Sequence, residues 1–314
     1  MSAVVEPQPV PGLERVEPQL RELVALAAQA RALPGFSRPL RGRHSGQYLS
    51  RQRGRGMEYD ESRPYQPGDD IRQIDWRVTA RTGRPHTKLF REERERPVFL
   101  CVDYRHGMFF ATQGVFKSVQ AARLAALLAW RAQQNGDRVG GLVFGDHEHH
   151  ELPPRRGQPA CLRLLKQLAE AGAAWRRAPA GENSPGLLRE AIVRLRRLAK
   201  PGSQVFLLSD FRALDEAAAH ELARLAAHTD LALIAVNDAF EATFPRLDGA
   251  GTLTDQRDSL RLAAISARQR EAYAARFAEH ETRLAKLARD HRMTLARVDT
   301  SDDPLSAVLR MLSR

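Results

Sequence analysis

The sequence predicts an α/β fold from residue 98 onward, a doubly wound and mostly parallel sheet. Three observations lead there. Short apolar runs recur without alternation, "VFLCVD" at 98–103, "SQVFLLSD" at 203–210 and "DLALIAVND" at 230–238. Strands buried on both faces read this way, whereas half-exposed strands alternate. Between the runs lie segments with apolar residues at helical spacing, which is the βαβ pattern of a sheet covered by helices. The chain, 314 residues with 43% hydrophobic content, is long enough to bury such a core.

Taken in order, residues 1–14 are polar and Pro-rich and are expected to be a disordered tail. Val16, Leu20, Leu23, Val24, Ala27 and Ala30 predict a helix over 16–33, closed by Pro34-Gly35. Residues 36–60 are rich in Arg and Gly with few core formers, so they read as an extended, exposed arm. The expected domains are thus the tail, a segment 15–97 carrying the helix and the arm, and the α/β domain 98–314.

Within the α/β domain, "VFLCVD" is followed by a helix over 115–133 with Val119, Ala122, Ala126 and Trp130 on one face. "RVGGLVF" (138–144) and "EHHELP" (148–153) predict a strand pair turned by Gly145-Asp146. Helices over 159–170, 186–199 and 215–227 flank the strands at 203–210 and 230–238. A small hairpin around 252–262, a long charged helix over 263–290 and the strand "MTLARVD" (293–299) complete the pattern. On the long helix, Ala264, Tyr273, Phe277, Leu284 and Leu287 are the residues expected to pack on the sheet.

Composition narrows the function classes. No apolar run reaches the ~20 residues that span a bilayer, and the start of the chain lacks a signal-peptide pattern, so a cytoplasmic protein without a membrane span is expected. Cys101 and Cys161 sit in apolar settings without metal-like spacing and read as buried free thiols. The net charge of +11 favours acidic partners. Because the Arg residues are spread along the chain among Glu, this reads as a mixed-charge surface, and nucleic acid is not the expected partner.

In a doubly wound sheet, ligands bind beyond the carboxyl ends of the strands. Two runs end there in an acid, Asp103 and Asp210. If their strands are neighbours, the two carboxylates face each other. "HEHH" at 147–150 would put His147 and His149 on one face of an edge strand, a pairing that could hold a metal but reads more simply as a polar edge. "GRGMEYDESR" has glycines but no strand-turn-helix context for a phosphate loop.

The densest stretch is "YQPGDDIRQIDWRVTAR" at 65–81. Pro67-Gly68 suits a tight turn, and Asp69-Asp70 can satisfy backbone donors there. Arg72, Asp75, Arg77 and Arg81 alternate in sign around Trp76, whose ring could cover Arg–carboxylate pairs. Two readings stay open for Tyr65, Gly68, Asp69, Arg72, Asp75, Trp76, Arg77 and Arg81: an ionic clamp fastening the arm to the α/β domain, or a partner-docking surface. The segment lacks a nucleophile-base pair.

The run from "GRGMEYDESRPYQPGDDIRQIDWRVTAR" through "PVFLCVD", with "KSVQAARLAALLAWRAQQNGDRVGGLVFGD" and "VFLLSDF", resembles the domain-of-unknown-function 58 family over roughly residues 40–314. The resemblance implies a von Willebrand factor A-like domain and, as partners, a MoxR-type AAA+ ATPase and other von Willebrand factor A-like proteins. Such domains often hold a divalent cation in a metal-ion-dependent adhesion site built on an Asp-x-Ser-x-Ser loop, a Thr loop and an Asp loop. Carried over, the two acids are Asp103 and Asp210. The Ser positions are Arg105 and Gly107, and the loop "RRGQPAC" offers no Thr. The site is therefore expected to be degenerate and to hold no magnesium, with Arg105 neutralising the carboxylates instead.

No cofactor and no catalytic residue are expected. The leading expectation is a non-catalytic interaction module, an adaptor working with the ATPase on a client complex. The rivals are nucleic-acid binding through the Arg-rich arm at 38–56 and a metal-dependent hydrolase built on Asp103 and Asp210. Steep salt dependence marks the former, and metal-dependent stability the latter.

Overall fold

A computed structural model describes residues 12–36, 57–66, 68–92, 96–178, 186–243, 252–254, 259–261 and 265–313. The elements run α1 (Leu13–Val16), α2 (Leu20–Ala30), β1 (Met57–Pro64), α3 (Trp76–Thr82) and β2 (His86–Glu92). Then come β3 (Pro97–Asp103), α4 (Lys117–Gln134), β4 (Arg138–Phe144), β5 (His149–Arg155), α5 (Gln158–Arg177) and α6 (Gly186–Leu198). They are followed by β6 (Gln204–Ser209), α7 (Glu216–Ala226), β7 (Asp230–Asn237), α8 (Ala239–Thr243), β8 (Thr252–Thr254) and β9 (Ser259–Arg261). The last are α9 (Ala267–Asp290), β10 (Thr294–Asp299) and α10 (Pro304–Leu312).

The apolar runs form the expected mixed α/β sheet, ordered β10-β7-β6-β3-β4-β5. All neighbours are parallel except β5, which runs antiparallel to β4. Each run buries both faces by simple alternation. Val98, Leu100 and Val102 of β3 pack with α2, α4, α5 and α10, whereas Phe99 and Cys101 pack with α6, α7 and the end of α9. The chain leaves β3 towards β4 and later returns to β6 on the other flank. The switch crevice of the sheet therefore lies at the carboxyl ends of β3 and β6. The two cysteines are buried free thiols. Among the described residues, no helix is long and apolar enough to cross a membrane.

Several boundaries differ from the sequence expectation. The chain separates into two compact units, and α1 and α2 belong to the α/β unit rather than to the segment that follows them. The second unit falls within residues 43–95, where the antiparallel pair β1–β2 encloses α3. Residues 57–60, expected in an extended arm, are thus strand, and Leu13 and Glu14, expected in the tail, are helix. The remainder of the arm, residues 37–56, and residues 1–11 lie outside the described residues. The helix expected over 16–33 is broken at Pro18, because the residue before a proline is pushed out of the helical region and Glu17 is extended (φ −133°, ψ 132°). Helix α10 was not expected; its start carries the signature of an Asp303 cap accepting from the Ser306 amide with Pro304 in the first turn. On α9 only Leu284 and Ala288 are fully buried, while Tyr273 and Phe277 are half-buried, so the helix packs on the sheet through its last turns. Ala264 lies outside the described residues.

What fastens the N-terminal helices is partly ionic. Leu23, Leu26, Ala30 and Leu33 enter the core, each leucine worth about 1.5–3 kcal/mol. Trp130 Nε1 donates to the Leu23 carbonyl at 2.9 Å. Glu17, 3% exposed, accepts from Arg176, and from Arg177 at 3.1 Å, both at the end of α5. The break at Pro18 is what turns this carboxylate inward. Replacing Glu17 by Ala should cost about 2 kcal/mol, the worth of charge-assisted hydrogen bonds. The measurable result is faster tryptic cleavage between residues 15 and 31; unchanged cleavage and melting would refute this role.

Candidate functional site

The strands β3 and β6 are neighbours, with Val102 paired to Leu208, so Asp103 and Asp210 end adjacent strands at the switch crevice. Both are buried, at 0% and 4% exposure. Arg105 folds back on Asp103, its Nε 3.0 Å from Oδ1 and its Nη2 2.5 Å from Oδ2, and its backbone amide donates to Oδ1 at 2.9 Å. Its Nη2 is 3.9 Å from Asp210 Oδ1. The Ser209 hydroxyl donates to Asp103 Oδ2 at 2.6 Å.

Asp210 is held from the other side by Lys117, the first residue of α4. The Lys117 ammonium, 0% exposed, lies 3.0 Å from Asp210 Oδ2 and 2.8 Å from Glu241 Oε1. Arg212 closes the ring, with Nη2 2.9 Å from Glu241 Oε1. Three carboxylates (Asp103, Asp210, Glu241) thus meet three cations (Arg105, Lys117, Arg212), and the cluster is neutral. A buried charge is tolerated when it is paired and hydrogen-bonded, and each of these carboxylates has a cationic partner. Burial pushes the Asp210 carboxyl up, but Lys117, Arg105 and Arg212 outweigh it and hold it well below the usual carboxylate range. Burial lowers the Arg105 guanidinium, and Asp103 more than restores it, so Arg105 stays charged.

Backbone geometry serves the same cluster. Phe211 occupies the left-handed region (φ 54°), which is rare for an aromatic residue. The turn places the Asp210 carboxylate against the Arg212 amide at 3.1 Å and the Phe211 amide on Ser209 Oγ at 3.0 Å. At Gly107 an added Cβ would stand 3.3 Å from Asp210 Oδ2, so the backbone itself closes over the carboxylate.

A divalent cation does not fit this donor set. Magnesium needs near-octahedral oxygen ligands, and the Lys117 ammonium already lies between Asp210 and Glu241. Among the described residues, no group of three His, Cys, Asp or Glu is arranged to hold a metal. The loop "RRGQPAC" is not near the crevice, because β5 is antiparallel and Arg155 pairs with Val139 at the amino-terminal end of β4, away from the carboxyl ends where the crevice lies. The nearby Thr112 hydroxyl donates instead to Asp238 at 2.6 Å. The histidine pairing also fails: His147 precedes β5, whereas His149 lies 3.6 Å from Glu151 and His150 stacks on Trp175.

In the smaller unit, the segment 65–81 resolves into two capped turns. Gly68 has φ +107°, a conformation that requires glycine, and Pro67 lies outside the described residues. Asp69 accepts from the Gln66 amide at 2.9 Å and from Arg63 at 2.7 Å. Asp70 accepts from the Arg72 amide at 3.0 Å, opening a short 3₁₀ turn. Asp75 caps α3 through the Arg77 and Val78 amides and accepts from the Ser62 hydroxyl at 3.0 Å. The Tyr65 amide donates to the Pro85 carbonyl at 2.9 Å. These contacts correct the expected ionic clamp: the carboxylates hold the unit's own turns, and among the described residues Arg72, Arg77 and Arg81 form no ion pair. Nor does Trp76 cover one, since it is 69% exposed.

Comparison with known proteins decides the family. A sequence profile described as "Protein of unknown function DUF58" matches residues 61–283, more than half of the chain. The chain belongs to the DUF58 family. Uncharacterised proteins of Mycobacterium bovis and Mycobacterium tuberculosis are 29% identical to it over 289 residues, covering 92% of this chain and 89% of each relative. Among solved structures it is similar to the conserved hypothetical protein BatB of Bacteroides thetaiotaomicron (TM-score 0.44, 18% identity, 69% of this chain and 97% of that one). An aerotolerance-related membrane protein of Bacteroides fragilis gives TM-score 0.46 at 17% identity, over 69% of this chain and 98% of that one.

For this DUF58 protein, sequence reasoning found Asp103, Asp210 and Arg105 and missed Lys117, Glu241 and Arg212. A signal for Lys117 existed: a cation in the first turn of an apolar helix opposes the helix dipole and needs a carboxylate to hold it. Glu241 gave none. Replacing Lys117 by Met should cost about 3–5 kcal/mol, because Asp210 and Glu241 lose the cation between them; wild-type stability in that variant would refute the assignment. Millimolar magnesium should leave the wild-type melting temperature unchanged, and an EDTA-reversible rise would refute the donor-set argument.

The low Asp210 pKa also fixes a pH dependence. Its contribution is fully present above the unfolded-state value near 4 and is lost as pH falls through the lower folded-state value. Acid unfolding followed between pH 5 and 2 should therefore be less steep in Asp210→Asn than in wild type. Parallel curves would contradict the assignment.

Proposed function

We propose that this chain is a non-catalytic, von Willebrand factor A-like interaction module, an adaptor working with a MoxR-type AAA+ ATPase in the assembly or maturation of a client complex. The observation that carries this reading is the neutralised crevice. Where a doubly wound sheet ordinarily binds a ligand, Asp103, Asp210 and Glu241 are matched by Arg105, Lys117 and Arg212. The Ser209 hydroxyl does sit on a carboxylate, but Asp103 is saturated by Arg105 and both residues are 0% exposed, so no nucleophile is available to a substrate. The von Willebrand factor A-like part is supported by the two acids at the ends of neighbouring parallel strands. The ATPase is what the family resemblance implies. One feature weighs against the hydrolase: among the described residues the Lys117 ammonium lies between Asp210 and Glu241, where a metal would need open carboxylate oxygens.

The test is co-purification of the full chain with the ATPase in the presence of ADP, of a slowly hydrolysed ATP analogue, and without nucleotide. Association in at least one state is the expected outcome. Failure in all three would overturn the adaptor reading, and metal-stimulated hydrolysis of a phosphoester that disappears in Asp103→Ala would replace it with the hydrolase.

A further inference from the structure

The small unit sorts its charges by direction. Its three acids between residues 65 and 85 are committed to backbone amides or to Arg63: Asp69 to Arg63 and Gln66, Asp70 to Arg72, and Asp75 to Arg77 and Val78. The four guanidinium groups of the same stretch, Arg72, Arg77, Arg81 and Arg84, are all exposed, and among the described residues none forms an ion pair. Asp70 is exposed and keeps its charge, but against the four exposed guanidinium groups this stretch presents a net cationic surface.

That surface also carries apolar groups in water. Trp76 is 69% and Ile71 66% exposed; with Leu20 at 40%, they are the large hydrophobic residues exposed among those described. Trp76 opens α3, and Ala80, one turn on, extends its face beside Arg77 and Arg81. Isolated exposed apolar residues need no explanation, but an exposed tryptophan on a short helix that also carries unpaired exposed arginines has the composition of an interface centre. The caps at Asp70 and Asp75 hold both apolar residues on short, fixed turns, so little ordering is required on binding.

We infer that the exposed surface carrying Trp76, Ile71 and the unpaired Arg72, Arg77, Arg81 and Arg84 docks an acidic polypeptide surface with an apolar anchor among its carboxylates. The complementarity is one of charge and of shape class. Carboxylates match guanidinium groups bidentately, and an aliphatic or aromatic anchor covers Trp76 and Ile71. Nucleic acid would supply phosphates, but it offers no aliphatic face for Ile71, and strand-binding grooves rely on several stacked aromatics. The inference rests on the interaction-module reading and names the kind of partner it takes.

The test uses the full chain and a fluorescent peptide of about a dozen Glu, Asp, Leu and Phe residues, with an amide counterpart in which Gln and Asn replace the acids, and a single-stranded DNA of similar charge. Binding is read by anisotropy and by the Trp76 indole N–H resonance, assigned with Trp76→Phe. The acidic peptide should bind, weaken with added salt and shift that resonance, whereas the amide peptide should not. Trp76→Ala, and separately Arg77→Glu with Arg81→Glu, should each weaken binding about tenfold or more without changing the melting temperature. Binding that survives in both variants, an unmoved Trp76 resonance, or tighter capture of the DNA through the same residues would overturn the inference. Peptide binding without ATPase association would refute the adaptor reading alone, and ATPase association that ignores both variants would refute this surface alone.

Discussion

The interaction on which the α/β unit depends is the ammonium of Lys117, buried between Asp210 and Glu241. It joins the start of α4, the turn after β6 and the start of α8, three pieces of chain remote in sequence. Without that ammonium, Asp210 and Glu241 would keep only Arg105 and Arg212 as counter-charges in a low-dielectric site, and their ionised forms would be strongly disfavoured. With it, the neighbouring features follow. Arg105 can turn wholly to Asp103, Ser209 can serve the same carboxylate, and Arg212 can complete Glu241 from the solvent side. A tethered cation differs from an exchangeable one in this respect: it arrives with the fold, cannot be chelated, and leaves no open coordination position for a partner's carboxylate to complete.

This bears on how such a sheet can be used. The crevice at a topological switch is the default ligand site because loops diverge there and strand-end backbone groups are free. Here the crevice is filled by its own side chains: Gly107 brings backbone onto Asp210, and Phe211 accepts a left-handed conformation to set the turn. The chain commits this crevice to holding its own loops in place.

Much of the sheet was legible in the sequence because one signal, the unbroken apolar run, reports burial on both faces, and the two acids ending such runs were visible for the same reason. What was not legible had definite physical causes. Lys117 was hidden inside a run whose helical periodicity was so strong that its first residue went unweighed. Glu241 and Arg212 enter the cluster only through tertiary proximity, which no local pattern encodes. Pro18 marked the break in the N-terminal helix, yet the hydrophobic spacing across it was continuous, and the value of Glu17 appears only once Arg176 and Arg177 stand opposite. The pair β1–β2 carries charged residues throughout, so neither alternation nor an apolar run announced it; its strands are fixed by pairing with each other.

The two units treat ionic residues in opposite ways, and the contrast follows from where each carboxylate finds its donor. In the crevice of the α/β unit side-chain cations are the main donors to the buried carboxylates, so acid and base there cancel. In the small unit the donors are largely backbone amides at the starts of turns, which need no counter-ion, and the arginines of the same stretch are left over. An Asp that caps a helix carries its full negative charge but spends its hydrogen bonds on backbone amides, so a neighbouring guanidinium is left without a direct ion pair while the turn stays rigid. A run of alternating signs such as "DDIRQIDWRVTAR" can then give two outcomes from one composition: interleaved ion pairs, or capped turns that leave the guanidinium groups unpaired. Here the spacing selects the second, because Asp70 and Asp75 each stand immediately ahead of a helical turn, and the guanidinium groups of the stretch stay exposed and, among the described residues, unpaired alongside an exposed tryptophan.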